Sequence, residues 1–487
     1  MAKTKKTQQL PKKVHFIGIC GVAMSALATA LWQKGYKVTG SDAGFFPPIS
    51  THLDNLGIPY YAGFHPEKMV AEENGGVPDL VIVGNAASSQ NPEFLYVQKN
   101  KIPFKSYPEA IGEFLIKTHS IVCAGTYGKT TSSALLSHIF KSAHLNPSFM
   151  FGGLSQNGTP SAAIDSGEWS IVEGDEYSTS KWDKRAKFFH YKPTHLLLTS
   201  VKWDHADLYP TEKSYIEAFQ KLIKSIPKKG QIVYCADQNN LKKIVGDSKL
   251  SPENIISYGA SKEAIYRYEN IIQTPNGITF DIVYHGKVYK IESHLLGSYN
   301  AENITGCFAM AHSAGIAPGD ISDAIKSFPG MKRRLEKRYE NKVTVIDDIA
   351  HSPEKARSVL NNLRGIYSGL IIAVYEPNSG NRTPQSKPDY KDAFRDADTV
   401  IIPRLSKLKI DASSPEKTFD GEELAETILE NHKDVHYIDD DEAVVEFLIT
   451  GRNEGDVIVF LGSHGFRGMI EETVKKLAEG GSEKVSS

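Results

Sequence analysis

The chain is poor in cysteine, in long apolar runs and in net charge, and each shortage excludes something. Its 487 residues hold four cysteines, Cys20, Cys123, Cys235 and Cys307, scattered with no CxxC pair or other metal spacing. That excludes a disulfide-stapled secreted scaffold and reads as reduced, mostly buried thiols in a cytoplasmic enzyme. No apolar run approaches the roughly 18–20 residues that span a bilayer, and no apolar h-region follows the basic start MAKTKKTQQLPKK. Lysine and arginine number 56 against 58 acids, a net charge of −2, so nothing in the balance points to nucleic acid or an anionic membrane as partner. Residues 1–13, with Lys3, Lys5, Lys6, Lys12 and Lys13, read as a solvated, disordered tail, with polyanion binding as the alternative.

What is present is an alternation of short β-like runs and helix-like stretches, enough for about three domains. KVHFIGI, YKVTGSD and PDLVIVG are strands of a first block, residues 14–117, and the helix between the first two runs from Ala23 to Lys34. This βαβ rhythm predicts a parallel, doubly wound sheet. A second block, 118–330, opens on the strand SIVCAG and contains WSIVEGD and HLLLTS. It also carries an all-β insertion, GITFDIVYHGKVYKIESHLLG, whose Tyr284–Lys287 reads as a hairpin turn. A third block, 331–478, has the strands KVTVIDD, GLIIAVYE, DTVIIPR and DVIVFLG, and 479–487 reads as a flexible polar tail. The fold class expected is α/β, in three consecutive α/β domains.

The stretch SIVCAGTYGKTTSSALL lacks the first glycine of the G-x-x-x-x-G-K-[ST] loop, since Cys123 stands in its place. What remains is the part the chemistry needs most. Gly125 and Gly128 let backbone N–H groups cradle phosphate at a helix start, with Thr126 and Thr131 in the same turn. Lys129 neutralises terminal phosphates, and Thr130 offers its hydroxyl to Mg²⁺. WSIVEGDEY sets Glu173, Asp175 and Glu176 at a strand end, where parallel sheets place ligands and where Mg²⁺ would offset their mutual repulsion. DHAD places His205 among acids at another strand end, either as a second-metal ligand or as a structural histidine. In the first block, Gly18 and Gly21 at a strand–helix turn and Asp42 ending the next strand fit a nucleotide-binding βαβ unit or, equally, close helix–strand packing.

AGTYGKTT, VEGDEY, DHAD, GSYNAENITG, KRRLE and DDIAHSP, in that order, closely resemble the Mur ligases, which add amino acids or peptides to UDP-N-acetylmuramate in peptidoglycan synthesis. The resemblance runs from about Lys13 to Ala478. DEYSTSKWDKRAKFFHYKP is most similar to the recycling branch, whose acceptor is the tripeptide L-alanyl-γ-D-glutamyl-meso-diaminopimelate; the branch that adds L-alanine is the next relative. The resemblance implies ATP and Mg²⁺, with the muramyl carboxylate activated as an acyl phosphate that an amine then attacks. By the same resemblance Lys129, Glu173, His205, Arg334 and Asp348 are catalytic, and Thr130, Glu173 and His205 hold metal. Asn300 and Asn303 lie near adenine, and Gly18, Gly21, Ser41 and Asp42 hold the UDP end. Asn378 stands where the recycling branch has arginine, which leaves Arg382 as the nearest candidate for the acceptor's carboxylate. A nucleotide-binding regulator and an NAD-type dehydrogenase are the readings of other classes.

Overall fold

The computed structural model describes residues 13–45, 49–85, 87, 89–204, 208–238, 240–246, 248–406 and 418–482. Most of the basic tail, residues 1–12, therefore lies outside the described residues. Lys13 does not belong to that tail: it opens the first strand, is 3 % exposed, and its ammonium donates to the carbonyls of Met69 (2.9 Å) and Gly76. At the other end the helix Met469–Ser482 continues into the stretch expected as a flexible tail, whose residues 483–487 lie outside the description.

The first sheet consists of β1 (Lys13–Ile17), β2 (Lys37–Asp42), β3 (Tyr60–Ala62), β4 (Leu80–Val83) and β5 (Phe104–Ser106), all parallel in the order β3-β2-β1-β4-β5. Every residue of β1 and β4 is buried, which explains why these strands read as unbroken apolar runs. The chain moves outward in opposite directions from β1, so a switch point lies beside the C-terminal end of that strand. Ligands bind at such points in open parallel sheets.

The second sheet has ten strands: β6 (His119–Ala124), β7 (Ser148–Met150), β8 (Ala162–Ala163), β9 (Trp169–Gly174), β10 (His195–Leu198), β11 (Gln231–Cys235), β12 (Ile255–Gly259), β13 (Tyr266–Thr274), β14 (Gly277–Tyr284) and β15 (Lys287–Ser293). Their order is β15-β14-β13-β12-β11-β10-β6-β9-β7-β8, with β6 flanked by β9 and β10. The expected hairpin joins β14 and β15 through His285 (φ 46°) and Gly286 (φ 77°), two left-handed residues of a type I′ turn.

The third sheet orders β16 (Glu336–Glu340), β17 (Thr344–Asp348), β18 (Ile371–Glu376), β19 (Thr399–Pro403), β20 (Val435–Ile438) and β21 (Val457–Gly462) as β16-β17-β21-β18-β19-β20. The four strands expected from apolar runs are β17, β18, β19 and β21. The edge strands β16 and β20 escaped that reading because EKRYE and VHYI are half-exposed and carry no apolar run. Chain compactness divides between Phe328 and Pro329; the second unit also takes Asn270–Phe280 and Glu292–Ala301.

Candidate active site

The loop after β6 is built around two glycines that no other residue replaces. Gly125 has φ 138°, and a Cβ there would lie 2.2 Å from the Thr199 hydroxyl oxygen. Gly128 has φ 79° and caps the helix Lys129–Ser142, and a Cβ there would lie 2.3 Å from Asn303 Oδ1. This left-handed cap starts the helix at Lys129. No side chain caps that helix, so its first N–H groups face the loop as an anion cradle. Thr126 ties the loop down, its hydroxyl donating to the Lys202 carbonyl at 2.8 Å. Thr131 is half-buried in the first turn.

Lys129 folds back over this loop. Its ammonium donates to the Gly125 carbonyl at 2.6 Å and lies 3.0 and 3.2 Å from the two oxygens of Glu176, which is 1 % exposed. Thr130 donates from Oγ1 to Glu173 Oε1 at 2.9 Å, and Glu173 Oε2 accepts the Gly152 N–H at 2.6 Å. The acidic cluster is therefore not neutralised in the way its sequence suggests. Lys187 binds Asp175 at 2.6 Å; burial works to raise that carboxyl, but Lys187 brings it below its ordinary value. Lys129 serves Glu176. Among the described residues no lysine or arginine pairs with Glu173, so the carboxylate beside Thr130 has no cationic side chain on it. His205, with Ala206 and Asp207, lies outside the described residues. The two lysine pairings were missed because Lys187 follows Asp175 by twelve residues and no periodicity marks it.

At the switch point of the first sheet, Gly18 (φ 87°) donates its N–H to the Ser41 carbonyl at 2.8 Å, and Gly21 caps the helix Val22–Gln33 with no side-chain bond. Asp42 holds this turn: Oδ2 accepts the Cys20 N–H at 2.8 Å and Oδ1 the Ala43 N–H at 2.7 Å. Ser41 is placed differently from the expectation. It is fully buried, and its hydroxyl donates to Glu93, which also accepts from Tyr61 OH (2.6 Å) and the His65 N–H (2.8 Å). Ser41 thus supports the turn from beneath rather than offering its hydroxyl to a ligand. Burial, with Asp42 and Asp54 adding, pushes the Cys20 thiol up to about 12, so it is not a reactive thiolate.

In the second compact unit Asp348, 5 % exposed, accepts the Leu335 N–H (2.8 Å) and the Ala350 N–H (2.9 Å). Burial raises its carboxyl, opposed by the nearby Arg334, so the two residues singled out in the sequence do meet electrostatically. Arg334 is exposed, whereas its neighbour Arg333 is spent on Asp347 (3.2 Å) and the carbonyls of Ser463 and His464 (3.0 and 2.8 Å). Asn300 and Asn303 are both buried on the helix Tyr299–Ser313. Arg382 is a correction. It is 3 % exposed, and its guanidinium donates to Pro377 O (3.0 Å), Ser406 O (2.8 Å) and Glu376 Oε1 (3.4 Å). A side chain so enclosed holds the loop after β18 and does not reach out to an acceptor.

A glycine-bounded loop leading from a buried strand into an open helix start, with a folded-back lysine and a threonine–glutamate pair, defines an enzyme that uses a nucleoside triphosphate. The chain belongs to the Mur ligase family. Residues 13–119 match the Mur ligase family catalytic domain, 123–311 the Mur ligase middle domain, and 333–464 the Mur ligase glutamate ligase domain. It is 31 % identical over 473 residues to the UDP-N-acetylmuramate–L-alanyl-γ-D-glutamyl-meso-2,6-diaminoheptandioate ligase of Escherichia coli K12, covering 96 % of this chain and 98 % of that protein. It is also 31 % identical over 475 residues to the UDP-N-acetylmuramate–L-alanine ligase of Brachyspira hyodysenteriae, covering 96 % and 99 %. The crystal structure of a UDP-N-acetylmuramate–alanine ligase from Thermotoga maritima shares the fold, with TM-score 0.75, 21 % identity, and 96 % and 99 % of the two chains covered. The protein is accordingly an ATP-dependent, amide-forming ligase of peptidoglycan metabolism. No helix among the described residues is long and apolar enough to cross a membrane.

Proposed function

We propose that the protein joins the carboxylate of UDP-N-acetylmuramate to the amine of the tripeptide L-alanyl-γ-D-glutamyl-meso-diaminopimelate, in the cytoplasm, with Mg²⁺ as cofactor. The observation that carries the chemistry is the Thr130–Glu173 pair, two oxygens 2.9 Å apart beside the only member of the acidic cluster without a lysine partner. Those two residues would hold Mg²⁺, with His205 as the candidate for a second ion; the ion would supply positive charge that favours phosphoryl transfer. The chain's own groups do the rest. Lys129 and the N–H groups at the start of its helix bind the transferring phosphate. The Gly18–Gly21 turn takes the diphosphate of the nucleotide sugar, and Asp42 keeps that turn in shape. By the family resemblance Arg334 and Asp348 are the catalytic candidates of the third domain. A carboxylate is a poor electrophile, so activation precedes attack by the amine, and solvent must be kept from the activated acyl group.

The whole-length similarity to the E. coli tripeptide ligase supports the tripeptide as acceptor. L-Alanine is the second reading, favoured by Asn378 at the arginine position and by the equal identity to the Brachyspira enzyme. The test is phosphate release from ATP with Mg²⁺ and UDP-N-acetylmuramate, with tripeptide or L-alanine in separate wells. Stimulation by the tripeptide is expected. Stimulation by L-alanine alone would transfer the protein to the second reading, and silence in both wells with ATP binding intact would remove the acceptor assignment altogether. In the same assay Glu173→Gln should raise the Mg²⁺ concentration at half-maximal rate by about 10–100-fold while leaving metal-free ATP binding in place. An unchanged Mg²⁺ response would assign the ion to other ligands.

A further inference from the structure

We propose a second metal site, built by Cys235, Asp237 and Glu302 for a zinc-class divalent ion, under the helix that carries Asn303. Cys235 ends β11 and is fully buried, Asp237 follows two residues later, and Glu302 lies in the first turn of the helix Tyr299–Ser313. The Cys235 sulfur and one carboxylate oxygen from each acid all lie within 4.8 Å of one another. Closing onto Zn–S of about 2.3 Å and Zn–O of about 2.0–2.2 Å asks each side chain to move by roughly an ångström or less.

Three observations distinguish this cluster from an ordinary group of acids. First, no cation attends it. Asp175 and Glu176 each have a lysine, but no lysine, arginine or histidine is ion-paired with Asp237 or Glu302 among the described residues. Two carboxyl groups placed together beneath a helix are costly without positive charge between them. Second, the Tyr258 hydroxyl is buried without a hydrogen-bond partner. Tyr258 is the register partner of Cys235 on β12, so both side chains leave the sheet on one face, and its hydroxyl lies within 3.0 Å of where a Cβ at Gly306 would be, one turn beyond Glu302. A water completing the tetrahedron would give this hydroxyl its partner. Third, Asp237 is already aimed. It accepts the N–H groups of Ala260 (2.6 Å) and Ser261 (2.8 Å) and the Tyr268 hydroxyl (3.3 Å), and a Cβ at Gly259 would lie 2.7 Å from Oδ1. Such outer bonds orient a carboxylate ligand.

One thiolate with two carboxylates suits Zn²⁺ rather than Mg²⁺ or Ca²⁺, which prefer oxygen alone. Binding would release the Cys235 proton to solvent. The ion would pin the helix start against the sheet and so hold Asn303 at the phosphate loop, whose Gly128 it abuts.

The test is Co²⁺ titration of chelator-treated full-length protein under reducing conditions, read by absorbance. A near-ultraviolet thiolate-to-cobalt band is expected, saturating at one equivalent and removed by Zn²⁺. It should be absent in Cys235→Ser, and Tyr258→Phe should weaken binding by about 10–100-fold while keeping the band. The Thr130–Glu173 pair contains no sulfur, so cobalt there is silent in this band. A wild-type protein without the band, or a band that persists in Cys235→Ser, would overturn the proposal.

Discussion

Lys129→Met should lower the rate of ATP-dependent phosphate release by about 10²–10³-fold, the usual cost of removing one positioned donor from a developing charge. Two effects are superimposed in that variant, and the structure separates them. Lys129 stands in the first turn of the helix after the glycine loop, where we propose that it binds phosphate, and it also neutralises Glu176, a carboxylate 1 % exposed. Removing the ammonium leaves a buried negative charge, which costs about 3–5 kcal/mol of stability where one partner of a buried pair is deleted. Adding Glu176→Gln removes that charge. The double variant should recover most of the stability and none of the rate. If the double variant also recovers the rate, Lys129 acts only as the counter-ion of Glu176 and its phosphate role is wrong. Thermal melts and single-turnover phosphate release on the same samples decide between the two.

Arg382→Ala should behave in the opposite way, as a stability mutation with little acceptor specificity. Arg382 and Glu376 are 3 % and 1 % exposed, and the guanidinium bonds two carbonyls as well as the carboxylate. Its removal leaves two carbonyls without a donor at about 1–3 kcal/mol each, while Arg467 at 3.1 Å still pairs with Glu376; the melting temperature should fall by on the order of 10 °C for a domain of this size. Arg382→Lys should not restore it, since an ammonium cannot reproduce a planar fork with bonds in three directions. The acceptor KM of whatever fraction remains folded should match the parent. A large rise in that KM with an unchanged melting temperature would return Arg382 to the acceptor site. The test bears directly on substrate choice, because the positive charge lost at Asn378 is then not supplied by the nearest arginine.

Much was legible from residue order alone. The buried parallel strands β1, β4, β6, β10, β18 and β21 appear as apolar runs because both their faces are covered. The phosphate loop appears because Gly125 and Gly128 must adopt positive φ, and the His285–Gly286 turn appears for the same reason. Backbone demands of this kind are local, so a few adjacent residues report them. The six ordered motifs add family membership, since they recur through the second and third domains.

Tertiary structure alone decided which charges meet. Asp175 finds Lys187 across a loop, Ser41 turns inward to Glu93 on a different strand–helix unit, and Arg382 folds onto Glu376 instead of facing outward. Cys235 looks like an isolated thiol in the sequence, yet the register of β11 and the helix above it bring Glu302 to its side from 67 positions away. Burial and the same fold push that Glu302 carboxyl up to about 7, with Asp237 adding to the rise against the Cys235 hydrogen bond. The physical reason is range. Backbone geometry and hydrophobic period are set over a few residues, whereas Coulomb and hydrogen-bond partners are chosen by proximity in space, which only the completed sheets establish.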